Sequence, residues 1–266
     1  MAAQGKSARI PAMNDARFGI FEAAKNAYVF IGREWLALLK AGLIPMGVQA
    51  ALSFFIEFGL EKASLLEGYL WSLPAAALFG WFAFIQTRLL LLGERVETLP
   101  KDTTFLLMRD RAMKACVISS LLFNMGISAA LAALVASGEW AQQAGGKSLP
   151  ATVASLFLIG AVFWGMRFSA LPILAAVHYP FQPYIRRVRG MMFSLRLFGL
   201  GVISLFPVAI LFQIFTTPFV AAATAGQATD AARAGLIIVT APLSLLIAMV
   251  LNAALAFALK EVLGKD

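Results

Sequence analysis

Long apolar runs separated by short polar breaks dominate the chain. Read with a window of about 19 residues, hydropathy predicts helices near 36–58, 68–90, 113–137, 150–177, 196–220 and 235–259. Each run reaches the roughly 20 residues that a helix needs to cross a bilayer. The breaks are polar or turn-like: EKASLLEG after the first run, GERVETLPKDTTFLLMRDR after the second and SGEWAQQAGGKSLP after the third. HYPFQPYIRRVRG follows the fourth, and AAATAGQATDAARAG precedes the sixth. The start of the fifth is left open, because GMMFSLRLFGLGVISLF is apolar with Arg196 inside it. The predicted fold class is an all-α polytopic membrane protein with six transmembrane helices.

Ahead of the first span, NDARFGIFEAAKNAYVFIGREW sets Phe18, Phe21, Ala24, Tyr28 and Ile31 at three- or four-residue steps, with Arg17, Glu22, Lys25 and Asn26 largely off that stripe. Asn14 and Asp15 supply capping side chains at its start. This pattern predicts an N-terminal amphipathic helix over 14–33. Two readings are open: a helix lying along the interface, or one packed against its own bundle. The chain then divides into a flexible tail (1–13), the amphipathic helix (14–33), a six-helix transmembrane domain (34–260) and a second tail (261–266). The first fourteen residues lack the apolar core of a cleaved signal peptide, so the first span is expected to act as an uncleaved signal-anchor.

Composition agrees with the membrane reading. The 266 residues are 61% apolar and 14% charged, with a mean hydropathy of +0.82, unlike a soluble domain. The net charge of +8 is explained by its distribution. All but Lys62, Lys147 and Arg233 of the 22 Lys and Arg residues fall on one side of the six-span arrangement. The opposite side holds Glu57, Glu61, Glu67, Glu139 and Asp230. Positive residues prefer the cytoplasmic face, which places both termini in the cytoplasm. The same cations attract anionic lipid headgroups. With no soluble basic face, nucleic acid is excluded as a partner.

Candidate chemistry is sparse. A single cysteine, Cys116, excludes an internal disulfide and a Cys-based zinc site, and a single histidine, His178, excludes multi-His metal cages. No nucleophile–base pair, aspartate pair or phosphate-binding glycine loop occurs, so no catalytic, metal or cofactor residue is assigned. Prolines fall inside five spans, at Pro45, Pro74, Pro172, Pro207 and Pro242, and predict helix kinks of the kind transporters use for mid-membrane sites. No Asp, Glu or Lys lies near the centre of a span, and Arg88, Arg167 and Arg196 are expected to snorkel to the cytoplasmic interface. Gln49, Gln86, Ser119, Ser120, Asn124, Gln213, Thr240 and Asn252 read as hydrogen-bonding glue between helices.

Between the fourth and fifth spans, PYIRRVRGMMFSL sets Ile185, Val188, Met192 and Leu195 on one face. Arg186, Arg187 and Arg189 crowd the rest, either as an anionic-lipid headgroup contact or as plain positive-inside anchoring. Ala129 with Ala133, and Ala132 with Ala136, form a small-residue seam within or between subunits. The aromatic-then-arginine order of Trp81, Phe82, Phe84, Arg88 is echoed by Phe163, Trp164, Arg167, as a hairpin repeat or as two helices obeying the same interface rules.

Two stretches carry a resemblance. FGIFEAAKNAYVFIGREWLALLKAGLIP and RFSALPILAAVHYPFQPYIRRVRGMMFSLRLFGLGVISLFPVAI, about 70 residues together, resemble a bacterial family of six-helix inner-membrane proteins. That family is similar to the membrane domain found ahead of glycerophosphodiester phosphodiesterases, and it includes stand-alone members. The resemblance implies a six-helix bundle in the bacterial inner membrane. It carries over no activity, because the phosphodiesterase domain with its His and acidic residues is absent. The functional expectation is a non-catalytic accessory, scaffold or lipid-interacting protein, with membrane lipids and a membrane-protein partner or second copy as its contacts. The alternative is a small permease or lipid transporter. For the topology, reporter fusions after Gly145 and Asp230 should read periplasmic and a fusion after Asp102 cytoplasmic; the reverse pattern overturns the orientation.

Overall fold

In hydrocarbon a backbone N–H or C=O finds no water, so apolar runs of this length close their hydrogen bonds within helices. The computed structural model describes residues 18–60, 65–95, 102–143, 153, 156, 159–160, 163–188, 190–224 and 230–263. In chain order these form α1 (Ile20–Phe54), α2 (Leu65–Leu92), α3 (Thr103–Gln143), α4 (Leu171–Ala176), α5 (Phe181–Arg187), α6 (Met191–Thr224) and α7 (Asp230–Leu263). A π-helical turn, Phe55–Gly59, extends α1, and a 3-10 turn, Met166–Ala170, leads into α4. The described residues contain no strand. Four stretches are long and apolar enough to cross a membrane: Ile20–Gly59, Leu70–Leu92, Met191–Ala222 and Asp230–Leu263. α3 covers the third expected span as one helix. Of the fourth, the continuous described part is the shorter apolar helix Phe163–Ala176. The described residues are all-helical, with four candidate membrane-spanning helices among them.

The amphipathic helix and the first span are one element. α1 runs from Ile20 without a loop, and its single non-helical residue is Glu34 (φ −105°, ψ 15°). The break thus falls at Glu34 and not at Pro45, which lies buried in helical backbone. Glu34 is held from outside the helix, because the Arg95 guanidinium reaches its carboxylate at 3.2 Å. The first half of α1 lies on its own bundle. Its buried residues are Phe18, just ahead of the helix, and Ala23, Ala24, Ala27 and Phe30, whereas Phe21, a member of the expected apolar stripe, points outward at 75% exposure. The shift has a simple cause. Ala23, Ala24 and Ala27 present a small-residue face, in one buried cluster with Ala253, Ala254, Ala256 and Ala258 of α7, the helix against which α1 packs. Phe30 meets Phe257 edge-on at 6.4 Å, and the Gly19 N–H donates to the Glu261 carboxylate at 2.9 Å. The Tyr28 hydroxyl donates to the Ser204 carbonyl of α6 at 2.6 Å. Asn14, Asp15, the first tail (1–13) and residues 264–266 lie outside the described residues, whereas 261–263, expected to begin the second tail, continue α7 as helix.

The basic turn also differs from expectation. α5 stops at Arg187 and α6 starts at Met191, so the helical phase is broken between them. Of the expected face, only Val188 is buried; Ile185, Met192 and Leu195 are exposed. Tyr184, Phe193, Ser194 and Leu197 take their place in the core. Pro172 sits at the start of α4, directly after the 3-10 turn. Its missing N–H and the clash with the preceding turn account for that local change of helix type. Pro74, Pro207 and Pro242 lie within α2, α6 and α7, and α6 contains Pro218 as well.

α2 and α3 approach most closely at Gly80. A Cβ there would stand 3.1 Å from the Val117 Cα and 3.0 Å from the Ser120 Cβ. Because a backbone atom is one of the obstacles, Gly80→Ala should lower unfolding stability in detergent by about 1–3 kcal/mol. Gly126→Ala, where a Cβ meets nothing within 4 Å, serves as the control and should leave stability unchanged or raised.

Candidate functional site

Two places in the bundle concentrate polar groups: one end, where guanidiniums are buried, and the interior, where a cavity opens.

At the end, Gly93 closes α2 with a left-handed backbone (φ 67°) that glycine adopts freely. The turn brings the Glu94 N–H back to the Arg88 carbonyl at 3.3 Å. It also delivers the Glu94 carboxylate onto the Arg88 guanidinium: Nε donates to Oε2 at 2.6 Å and Nη2 donates to Oε1. Arg88 Nη1 donates to the Ala176 carbonyl at 2.7 Å, capping the C-terminus of α4. Arg109 stands 4.0 Å from the same carboxylate, and the Arg88 and Arg109 guanidiniums lie 5.5 and 5.2 Å from the Phe84 ring centre. Arg88 does not snorkel. It is 6% exposed and paired in a bidentate fork.

Arg167 is buried at the same end. Its Nε donates to the Trp164 carbonyl at 3.0 Å and its Nη2 to Ser194 Oγ at 3.2 Å, and its guanidinium lies 4.7 Å from the Trp164 ring centre. The Tyr184 hydroxyl donates to the Arg167 carbonyl at 2.6 Å. Burial holds the Tyr184 phenol above its ordinary range, against the opposing pull of Arg167, so it stays a donor. Arg186 is exposed on α5. The Arg187 side chain and all of Arg189 lie outside the described residues, so this structure does not bring the three arginines together. His178 closes α4 in a left-handed conformation (φ 57°), with its N–H on the Ala175 carbonyl (3.3 Å) and the Tyr179 N–H on Leu174 (2.9 Å). No group of three or more metal-ligating side chains occurs among the described residues.

The cavity lies between α1, α2, α3, the 3-10 turn with α4, α6 and α7, and measures about 600 Å³, within the range of small-molecule sites. Its walls are apolar, with Phe79, Phe123, Met166 and Pro172 among them, and are interrupted by hydroxyls and amides. α1 supplies Gln49 and Ser53; α3 supplies Ser120, Asn124 and Ser128; α7 supplies Ser244 and Asn252. The 3-10 turn supplies Ser169, because residues three apart eclipse in that helix and Met166, Ser169 and Pro172 line up on one wall. None of the lining residues is charged. Ser169 Oγ and Gln49 Oε1 are sealed from solvent without a hydrogen-bond partner; Gln86, Thr87, Arg109 and Ser204 carry similar atoms away from the cavity walls.

Sequence reasoning assigned Gln49, Ser120, Asn124 and Asn252 to interhelical bonding, but all four line the cavity. Gln86 does bridge helices, donating from Nε2 to the Met249 carbonyl at 2.7 Å. Ser119, Asn124 and Thr240 bond within their own helices. The missed signal was periodic: Ser120, Asn124 and Ser128 recur every four residues and mark one polar stripe on an apolar helix.

No family model, curated protein or solved structure matches this chain.

The buried fork makes a direct prediction. Glu94→Gln leaves a buried guanidinium without its anion and should cost about 3–5 kcal/mol of unfolding free energy in detergent. Arg233→Gln, which breaks the half-exposed 3.4 Å pair with Glu57 at the opposite end, should cost no more than about 1 kcal/mol.

Proposed function

We propose that the protein is a non-catalytic, lipid-interacting protein of the bacterial inner membrane that holds one neutral amphipathic molecule inside its helix bundle. The observation that carries this reading is the uncharged cavity of about 600 Å³, whose apolar walls are interrupted by the hydroxyls and amides of residues such as Ser120, Asn124, Ser128, Ser169 and Asn252. A few hydroxyls and amides on otherwise apolar walls suit a guest that is mostly apolar with a small hydrogen-bonding end. Walls without a charge disfavour an ionic guest, whose desolvation would go uncompensated. A single-chain neutral lipid such as a monoacylglycerol meets both conditions, with hydroxyls for the serines and amides and a chain for the apolar walls.

In this reading the topology is six membrane helices with both termini cytoplasmic, supported by the apolar runs and by the segregation of Lys and Arg. The resemblance to the domain ahead of glycerophosphodiester phosphodiesterases points the same way. A second reading is a small lipid transporter. It draws on the 3-10 turn at the cavity wall, where a local change of helix type offers a hinge.

Native mass spectrometry of protein released from membranes in mild detergent tests the main reading, with added monoacylglycerol as the probe. Wild type should retain it, and both Ser169→Val and the cavity-filling Ala248→Phe should lower retention about tenfold. Ala133→Phe, on the exposed face of α3, should not. Equal retention by all four proteins overturns the cavity as the site. Movement of the probe between leaflets in liposomes favours the transporter reading.

A further inference from the structure

Arg88 and Arg167 are buried to nearly the same extent, 6% and 8% exposed, at the same end of the bundle. For Arg88 the chain provides a carboxylate, two-pronged and at hydrogen-bond distance. For Arg167 it provides a carbonyl and a hydroxyl, which accept hydrogen bonds and leave the charge uncompensated. No acidic side chain pairs with Arg167 among the described residues, and three of its five N–H donors have no partner there. A buried guanidinium without an anion is expensive in any low-dielectric setting.

The surroundings repeat the imbalance. From Glu139 to Asp230 the sequence contains no Asp or Glu, yet it holds every arginine between α3 and α7. α5 is tied to Arg167 through Tyr184 and carries the exposed Arg186; α6 is tied through Ser194 and carries the half-exposed Arg196. In the neighbouring sector of the same end the cations named have acidic partners: Glu34 meets Arg33 and Arg95, Glu94 meets Arg88 and Arg109, and Asp110 meets Lys114. The unbalanced sector also carries an interfacial aromatic. The Trp164 indole is 54% exposed while its face lies against the Arg167 guanidinium. Trp at this position marks the level of lipid headgroups.

We infer that Arg167, fixed by Ser194 and stacked on Trp164, receives a phosphate group, with Arg186 and Arg196 drawing the anion in. A guanidinium fork matches two phosphate oxygens, and the pre-set hydrogen bonds to Trp164 and Ser194 hold the fork still before the anion arrives. The phosphate comes from a lipid headgroup or from free phosphate; both present the same oxygens. This site is separate from the cavity, whose walls include Met166 and Ser169 but not Arg167.

The test is lipid retention by the full chain in mild detergent, read by native mass spectrometry, with phosphatidylglycerol and diacylglycerol as paired probes. Wild type should prefer the phosphodiester by about tenfold, and Arg167→Gln should abolish that preference. Replacing Arg186 and Arg196 together by Gln, away from the core, should reduce it several-fold with unchanged elution on size exclusion. Ala248→Phe should leave it intact, which separates this site from the cavity. Displacement of phosphatidylglycerol by millimolar inorganic phosphate assigns the site to free phosphate, and failure to displace assigns it to the lipid. Equal retention of both probes by wild type, or a wild-type preference in folded Arg167→Gln, overturns the inference. If Arg167→Gln does not fold, Arg167→Lys takes its place: it keeps the charge and loses the fork, and a full wild-type preference there overturns the inference in the same way.

Discussion

Inside hydrocarbon, each polar group must be satisfied by the chain or by something the chain holds, and this constraint organises the molecule. Backbone groups meet it by forming helices of up to 41 residues. The Arg88 guanidinium meets it through Glu94 and the Ala176 carbonyl, and those bonds join the end of α2 to the end of α4. The Gln86 Nε2 meets it by donating to the Met249 carbonyl across the α2–α7 interface. Function is read at two places: the cavity lined by hydroxyls and amides, and Arg167, whose charge no acidic side chain pairs among the described residues.

Apolar burial does not choose between helix faces here, because lipid accepts the same side chains as the core. Leu43, Ile44, Leu122, Ile210 and Ile214 are all exposed. Association is decided by fit instead. Alanines on α1 and α7 let those two helices lie close along their length, and Gly80 does the same for α2 and α3. This close packing fixes the frame around the cavity. The wall at the 3-10 turn is the exception, and there Pro172 prevents a regular helix from continuing.

Much of the fold is legible in the apolar runs, since a stretch such as 235–259 has no other stable state in a bilayer. The facing of the helices is not, because the first half of α1 buries Ala23 and Ala27 while Phe21 points outward, against the order that hydrophobicity suggests. The break at Glu34 was hidden for a related reason: the residue that pairs with it there, Arg95, is far along the sequence. Reading Arg88 as snorkelling overlooked Glu94, although a glycine directly before a carboxylate at the end of an apolar helix was there to see. Three of the polar lining residues, Ser120, Asn124 and Ser128, are legible as a stripe at every fourth position of α3. Ser169 is not, since its placement depends on the spacing of a 3-10 turn that the sequence pattern does not announce.

The cavity ties these strands together: close-packed helices frame it, hydroxyls and amides line it, and no charged side chain is on its walls. Its content is best seen directly, by an experimental structure of the protein in nanodiscs of its own membrane lipids at a resolution that shows ordered small molecules. The expected result is elongated non-protein density between α1, α3 and α7, with a polar end within hydrogen-bond distance of Ser169 or Gln49. A collapsed interior, or one filled only by water, would contradict it.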